Sequence, residues 1–181
     1  MPWQIDTSHS TLGFSARHML FTTVRGTFTQ FSGEIQLDPA APEKGSATFA
    51  IETASVTTRD EKRDGHLRSA DFFDAEKHPR ITFTSTGITP KGGTRYAIRG
   101  DLTIRGVTKS VVLDADFQGV QKSPWGTSVA AVSAKASIDR RDWGLVWNVP
   151  LDAGGLLVSE KVELDVELEL AQAAVPGLAA A

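Results

Sequence analysis

The segment SEKVELDVELELA, residues 159–171, sets Val162, Leu164, Val166, Leu168 and Leu170 on one parity and Glu163, Asp165, Glu167 and Glu169 on the other. A period of two held over that length defines a β-strand with one buried and one solvated face. The same rule runs through most of the chain. SVVLDADFQG aligns Val111, Leu113, Ala115 and Phe117, and TRYAIRGDLTIRG aligns Tyr96, Ile98, Gly100, Leu102 and Ile104. STLGFSARH aligns Leu12, Phe14, Ala16 and His18, while ATFAIE and RITFTS contribute Phe49, Ile51, Ile81 and Phe83. About eight strands are expected, near 10–18, 26–38, 45–53, 80–88, 94–105, 107–120, 127–140 and 160–171. Gly106 marks a tight turn between two of them.

Two places break the alternation. In 26–38 the apolar phase slips between Phe28 and Phe31, which a bulge near Thr29 or Gln30 would repair. Between 58 and 77 a short helical segment is expected: TRDE at Thr58–Glu61 fits a capping box, and His78-Pro79 is a stop. Its charges nearly cancel, so they read as a solvated face, and Leu67, Phe72 and Phe73 form an apolar edge that suits a cap or lid across a barrel end.

Eight antiparallel strands with polar outer faces close most economically as an extended all-β barrel, because closure removes unpaired edges; a two-sheet sandwich is the alternative. An eight-stranded barrel is just wide enough to be filled by its own side chains or to hold one small ligand. Ala16, Gly33, Gly100, Ala115, Ala130, Ala134 and Ala136 favour a space inside, whereas Phe14, Phe28, Phe49, Phe83 and Phe117 could fill it. Strands of this length make any such space long, roughly 30 to 45 Å.

With 181 residues the chain suits one domain over 1–171, followed by a flexible, small-residue tail at 172–181. A net charge of −3 gives no basic face for nucleic acid, and the lack of cysteine excludes disulfides and thiolate chemistry. MPWQIDTSHS has no basic segment followed by an apolar one, which points to the cytoplasm; a mature chain trimmed of its signal would look the same and be periplasmic.

Candidate chemistry is sparse. The four histidines, His9, His18, His66 and His78, form no metal-ligand spacing, and no nucleophile elbow, phosphate loop or dinucleotide fingerprint is present. His18 shares the inward parity of its strand, as a satisfied core histidine or as a contact for a ligand head group. DRRDWGLVWN at 139–148 places Arg141 and Trp143 either at a barrel mouth or in a loop with a tryptophan plug.

The segments WQIDTSHSTLGFSARHM, VRGTFTQFSGEI, TRDEKRDGHLRSADFFDAEKHPRITFTST and YAIRGDLTIRGVTKSVVL, and more loosely DRRDWGL, resemble the YceI family of bacterial polyisoprenoid-binding proteins. The resemblance implies a lipocalin-like eight-stranded barrel that holds a long isoprenoid chain, of quinone or prenyl phosphate type, without catalysis and with no other cofactor. The motifs define no catalytic set to carry over, so only binding roles are expected: Phe14, Phe28, Phe49, Phe72, Phe73, Phe83 and Leu102 as pore lining, with His18, Arg141 and Trp143 as head-group candidates near an opening. Transient membrane contact follows from such a cargo, and the phenylalanine-rich edge loops are compatible with a homodimer. A lipid-modifying enzyme using His18 and a purely structural filled barrel are the competing expectations.

Overall fold

The alternating segments form one curled antiparallel sheet in a computed structural model that describes residues 2–172. Its strands are β1 Gln4–Ile5, β2 Thr11–His18, β3 Thr22–Phe28, β4 Phe31–Gln36, β5 Ser46–Glu52, β6 Val56–Thr57, β7 Arg80–Gly92, β8 Arg95–Ile104, β9 Val107–Lys122, β10 Ser128–Asp139 and β11 Lys161–Gln172. They are ordered β4-β5-β7-β8-β9-β10-β11-β2-β3-β6, with β1 added against β11. The fold is all-β and lipocalin-like. Its count of eleven exceeds the expected eight because β1 and β6 are two-residue strands and the 26–38 segment is split. The anticipated tail lies outside the described residues.

That split corrects the expected bulge. A bulge keeps its partner strand; here the chain changes partners, since β3 pairs with β2 whereas β4 pairs with β5. One segment therefore supplies strands near both edges of the curled sheet, and the phase slip is the seam between them. The Thr29 amide donates to Ser55 O and the Glu52 amide donates to Gln30 O, which fastens the break. Farther along, β1 pairs with β11 while Trp3 bridges to Ile35 of β4, a second tie between elements far apart in the sheet order.

Register fixes which side chains face inward. Leu164 opposes Phe14 and Ala136, and Val166 opposes Leu12 and Ala134, so one parity of each neighbour shares the concave face. β8 and β9 meet through Arg105 and Gly106, both with positive φ, the two-residue geometry that matches strand twist. A Cβ at Gly106 would also approach the His78 ring closely, at 3.1 Å.

The helix α1 spans Glu61–Arg68, and its cap differs from the expected box. Asp60 is the N-cap and accepts the Arg63 amide. Thr58 instead gives its amide and hydroxyl to the buried Asp64 carboxylate, at 2.8 and 2.6 Å. Asp60 precedes the first turn directly and Thr58 lies two residues too early. The helix ends at Arg68, well before His78-Pro79, because the Ser69 hydroxyl takes the His66 carbonyl and the chain turns.

Candidate functional site: an apolar lumen under a lid

The concave face of the sheet encloses a cavity of about 290 Å³, close to the lower end of small-molecule sites at roughly 300–1000 Å³. The five alternating apolar positions of β11, Val162 to Leu170, line it, as do Val111, Leu113, Ala115 and Phe117 of β9. Among its lining residues, polar side-chain groups come only from Gln36, Ser46, Tyr96, Arg140 and Trp143. Such a wall can hold a hydrocarbon chain and offers almost nothing to a charge.

The phenylalanines leave space because they lie against the wall. A Cβ at Gly26 would sit 2.3 Å from Cζ of Phe14, its cross-strand partner, and one at Gly100 would sit 2.3 Å from Cζ of Phe83. At Gly33 the space is taken mainly by the Thr48 carbonyl and the Ile5 side chain, 2.5 and 2.9 Å from where a Cβ would be, with Phe49 next at 3.1 Å. The Phe14 and Phe83 rings each occupy the volume of a missing side chain on the neighbouring strand. At Gly26 and Gly100 a small residue and a phenylalanine are thus paired halves of one thin wall.

One end is closed by α1 and the turns that follow it. Leu67, Phe72 and Phe73 face the cavity, while Phe73 meets Phe28 edge to face at 5.7 Å and Phe28 meets Phe14 at 5.6 Å. His66 lies edge-on to Phe72 and Trp147, at 5.0 and 4.6 Å, and its Nε2 is 2.9 Å from Asp71. Arg105 holds this lid by donating to Phe72 O at 2.8 Å. Residues 61–79 therefore form a cap, with His66 built into an aromatic joint.

Eight of the ten expected site residues line the cavity: Phe14, Phe28, Phe49, Phe72, Phe73, Phe83, Leu102 and Trp143. His18 is absent from the lining: β2 ends there, bridged to Val158, and the inward parity carries Ala16 into the cavity but leaves His18 at the rim. Arg141 faces outward, chelated by Asp139 and 3.2 Å from Glu160. Trp143 is only 2% exposed and donates its indole N–H to Leu102 O at 2.9 Å, which makes it a plug with no donor to spare.

The residue that sequence reasoning missed is Arg140. It is 6% exposed, lines the cavity, and spends its guanidinium on backbone carbonyls: Nε to Ser159 O at 2.9 Å, one terminal nitrogen to Leu145 O at 2.6 Å, the other to Val158 O at 3.4 Å. Phe72 lies beneath it, 5.8 Å from the ring centre. Burial lowers its pKa, against the pull of Glu160 and Asp139, and the guanidinium nevertheless stays charged. Arg140 continues the inward parity of Ala134, Ala136 and Ile138, and this was the available signal.

Elsewhere the histidines do not converge. His9 sits on the surface, 2.9 Å from Asp6 and 3.9 Å from Glu169. Hydrogen bonds from Ser8 and His9 draw the Asp6 carboxyl down to about 2, and Asp6 in turn raises the His9 pKa.

A curled antiparallel sheet forming a half-barrel, with an apolar lumen under a lid, belongs to the lipocalin-like class of β-proteins. Within it, the chain belongs to the YceI-like domain family, whose model matches residues 3–170. It is 36% identical over 143 residues to a UPF0312 protein of Vibrio cholerae, covering 78% of this chain and 76% of that one. Among solved structures it resembles Burkholderia cenocepacia BcnA, with a TM-score of 0.78 and 26% identity over 91% of this chain and 98% of that one. It also resembles in fold a polyisoprenoid binding domain from Saccharophagus degradans implicated in plant cell wall breakdown, with a TM-score of 0.65 and 19% identity over 93% and 97% of the two chains.

Proposed function

We propose that this protein binds a long-chain polyisoprenoid, of isoprenoid quinone or prenyl phosphate type, and carries or stores it without chemical change. The observation that carries this reading is the lumen: apolar, lined from β2 through β11, roofed by Leu67, Phe72 and Phe73, and widened where Phe14 and Phe83 fold onto glycines. Family membership and the name of the Saccharophagus domain support it. The tail enters the lumen and the head group stays at the lid-end rim, where His18 and Arg141 stand. A head group inside would have to compete with carbonyls for Arg140.

Energetics suit carriage. Each methylene buried from water contributes about 0.8 kcal/mol, so a prenyl chain is held strongly against water. A bilayer buries the same chain equally well, and net transfer between membrane and protein lies near zero. A lipid-modifying enzyme is the weaker reading, because its best acid-base candidate, His18, lies outside the lumen lining.

Native purification, organic extraction and mass spectrometry test the proposal. One stoichiometric isoprenoid in the extract is the expected result. An empty protein that also ignores added prenyl lipids would overturn it.

A further inference from the structure

The β2–β3 hairpin ends in three exposed apolar residues: Met19 at 46%, Leu20 at 58% and Phe21 at 86% exposure. Met19 and Leu20 both have positive φ, 52° and 68°. Such turns favour Asn and Gly, so bulky side chains here cost both backbone strain and exposure. Nothing in the packing of the barrel requires Phe21 to be apolar.

The tip does not stand alone. The Met19 amide donates to Leu157 O, the Leu157 amide donates to Val149 O, and Leu20 packs 3.0 Å from the Cβ position of Gly155. Val149, 42% exposed, therefore lies beside the tip, and Val146, 65% exposed, stands three residues earlier on the same strap between β10 and β11. This strap is continuous with the lumen: Leu145 lines it, Val146 points out, and Trp147 packs on His66 of the lid. The exposed apolar surface thus lies beside the lid.

We propose that Met19, Leu20, Phe21, Val146 and Val149 form a membrane-contacting surface that seats the lid end on an anionic lipid bilayer. The proposal rests on the carrier reading for its purpose, though not for its geometry. Two observations select a bilayer. The hairpin, residues 10–30, carries Arg17, His18 and Arg25 and no acid, and among the described residues neither arginine forms an ion pair. The strap, residues 144–159, carries one acid, Asp152, and no basic residue, so the positive charge comes from the hairpin alone. Five residues on a convex tip also fall well short of the roughly 20–30 a side that a stable protein interface uses, whereas insertion among acyl chains needs no complementary shape. Among the described residues, the opposite end of the sheet exposes Trp125, at 86%, with Val120 at 38%.

Co-sedimentation with vesicles decides the matter, using phosphatidylcholine alone and phosphatidylcholine with phosphatidylglycerol at about 7:3. The wild type should partition onto the anionic vesicles, and Leu20→Ser/Phe21→Ser should lose about tenfold or more of that partition. Trp125→Ser should behave as the wild type. Phe21→Ser alone repeats the test should the double variant fail to fold. A wild type that stays in the supernatant, an equal loss in Trp125→Ser, or a wild-type dimer that the tip variant dissociates would overturn the proposal. The last result would give the patch to a second copy of the chain. Retention of an added polyprenol by the tip variant in solution is measured alongside. A tip that binds vesicles in a protein that retains no polyprenol separates failure of the carrier reading from failure of this one.

Discussion

Phe14 on β2 and Gly26 on β3 are directly opposed, and the ring of the first fills the space a side chain on the second would need, with 2.3 Å between Cζ and a Cβ built there. Gly26→Ala should push Phe14 into the lumen. The expected cost is about 1–3 kcal/mol in urea unfolding, with weaker uptake of a prenyl probe. Phe14→Leu in the same chain should recover much of both. If Gly26→Ala leaves stability and uptake unchanged, the ring is free to move and the wall is not built as described.

Adjacent arginines should behave oppositely. Arg140→Ala removes a buried cation from three carbonyls and should cost at least about 2 kcal/mol, since hydrogen bonds to charged groups contribute about 1.5–3 each. Arg141→Ala loses only half-exposed pairs with Asp139 and Glu160 and should cost under about 1 kcal/mol. Arg140→Lys should rescue little, because an ammonium lacks the planar fork that spans Leu145, Val158 and Ser159. Urea denaturation of the three variants checks the order.

These two arginines also mark how far the alternation could be read. On β11 every inward position was legible, because an antiparallel strand with one wet face keeps strict parity. Parity carried through the expected strand 127–140 puts Arg140 inside and Arg141 outside, but DRRDWGL reads equally as a barrel mouth or a loop with a tryptophan plug, and that reading gives the head-group role to Arg141. The chain keeps the β10 alternation through Asp139 and turns into a 3-10 helix only at Arg140–Trp143. The pairing of phenylalanines with glycines was not legible, since it depends on cross-strand register. Neither was the split at Thr29-Gln30: a phase slip looks the same whether a strand bulges or changes partner.

The lid should loosen when its buried carboxylate is removed. Asp64 is 3% exposed and accepts both the amide and hydroxyl of Thr58. Asp64→Ala leaves those donors unsatisfied and should cost about 1–3 kcal/mol. Amide hydrogen exchange should rise across 58–78 before it rises in β8–β11. Uniform acceleration over the whole sheet would show that the lid does not open as a separate unit.

The Asp6–His9 pair sets a small pH dependence. Asp6 has its pKa lowered to about 2, so its contribution is full above about 3.8 and fades as pH falls toward 2. The His9 pKa is raised above 6.5, so its contribution is full below 6.5 and is lost as pH rises through the folded value. Together they act most between about pH 4 and 6.5. Asp6→Asn should return the His9 titration, followed by imidazole NMR, toward 6.5; an unmoved titration would show that the pair does not form in solution.

The central claim is that an isoprenoid tail occupies the lumen, and Ala134 tests it most directly. It is 5% exposed and faces the cavity from the middle of β10, so Ala134→Phe places a ring in the path of the chain. Titration of wild type and variant with a long polyprenol should give one molecule bound per wild-type chain. Binding at least about tenfold weaker is expected in a variant with an unchanged far-UV circular dichroism spectrum. Equal binding by both proteins would put the tail somewhere other than the lumen and contradict the account.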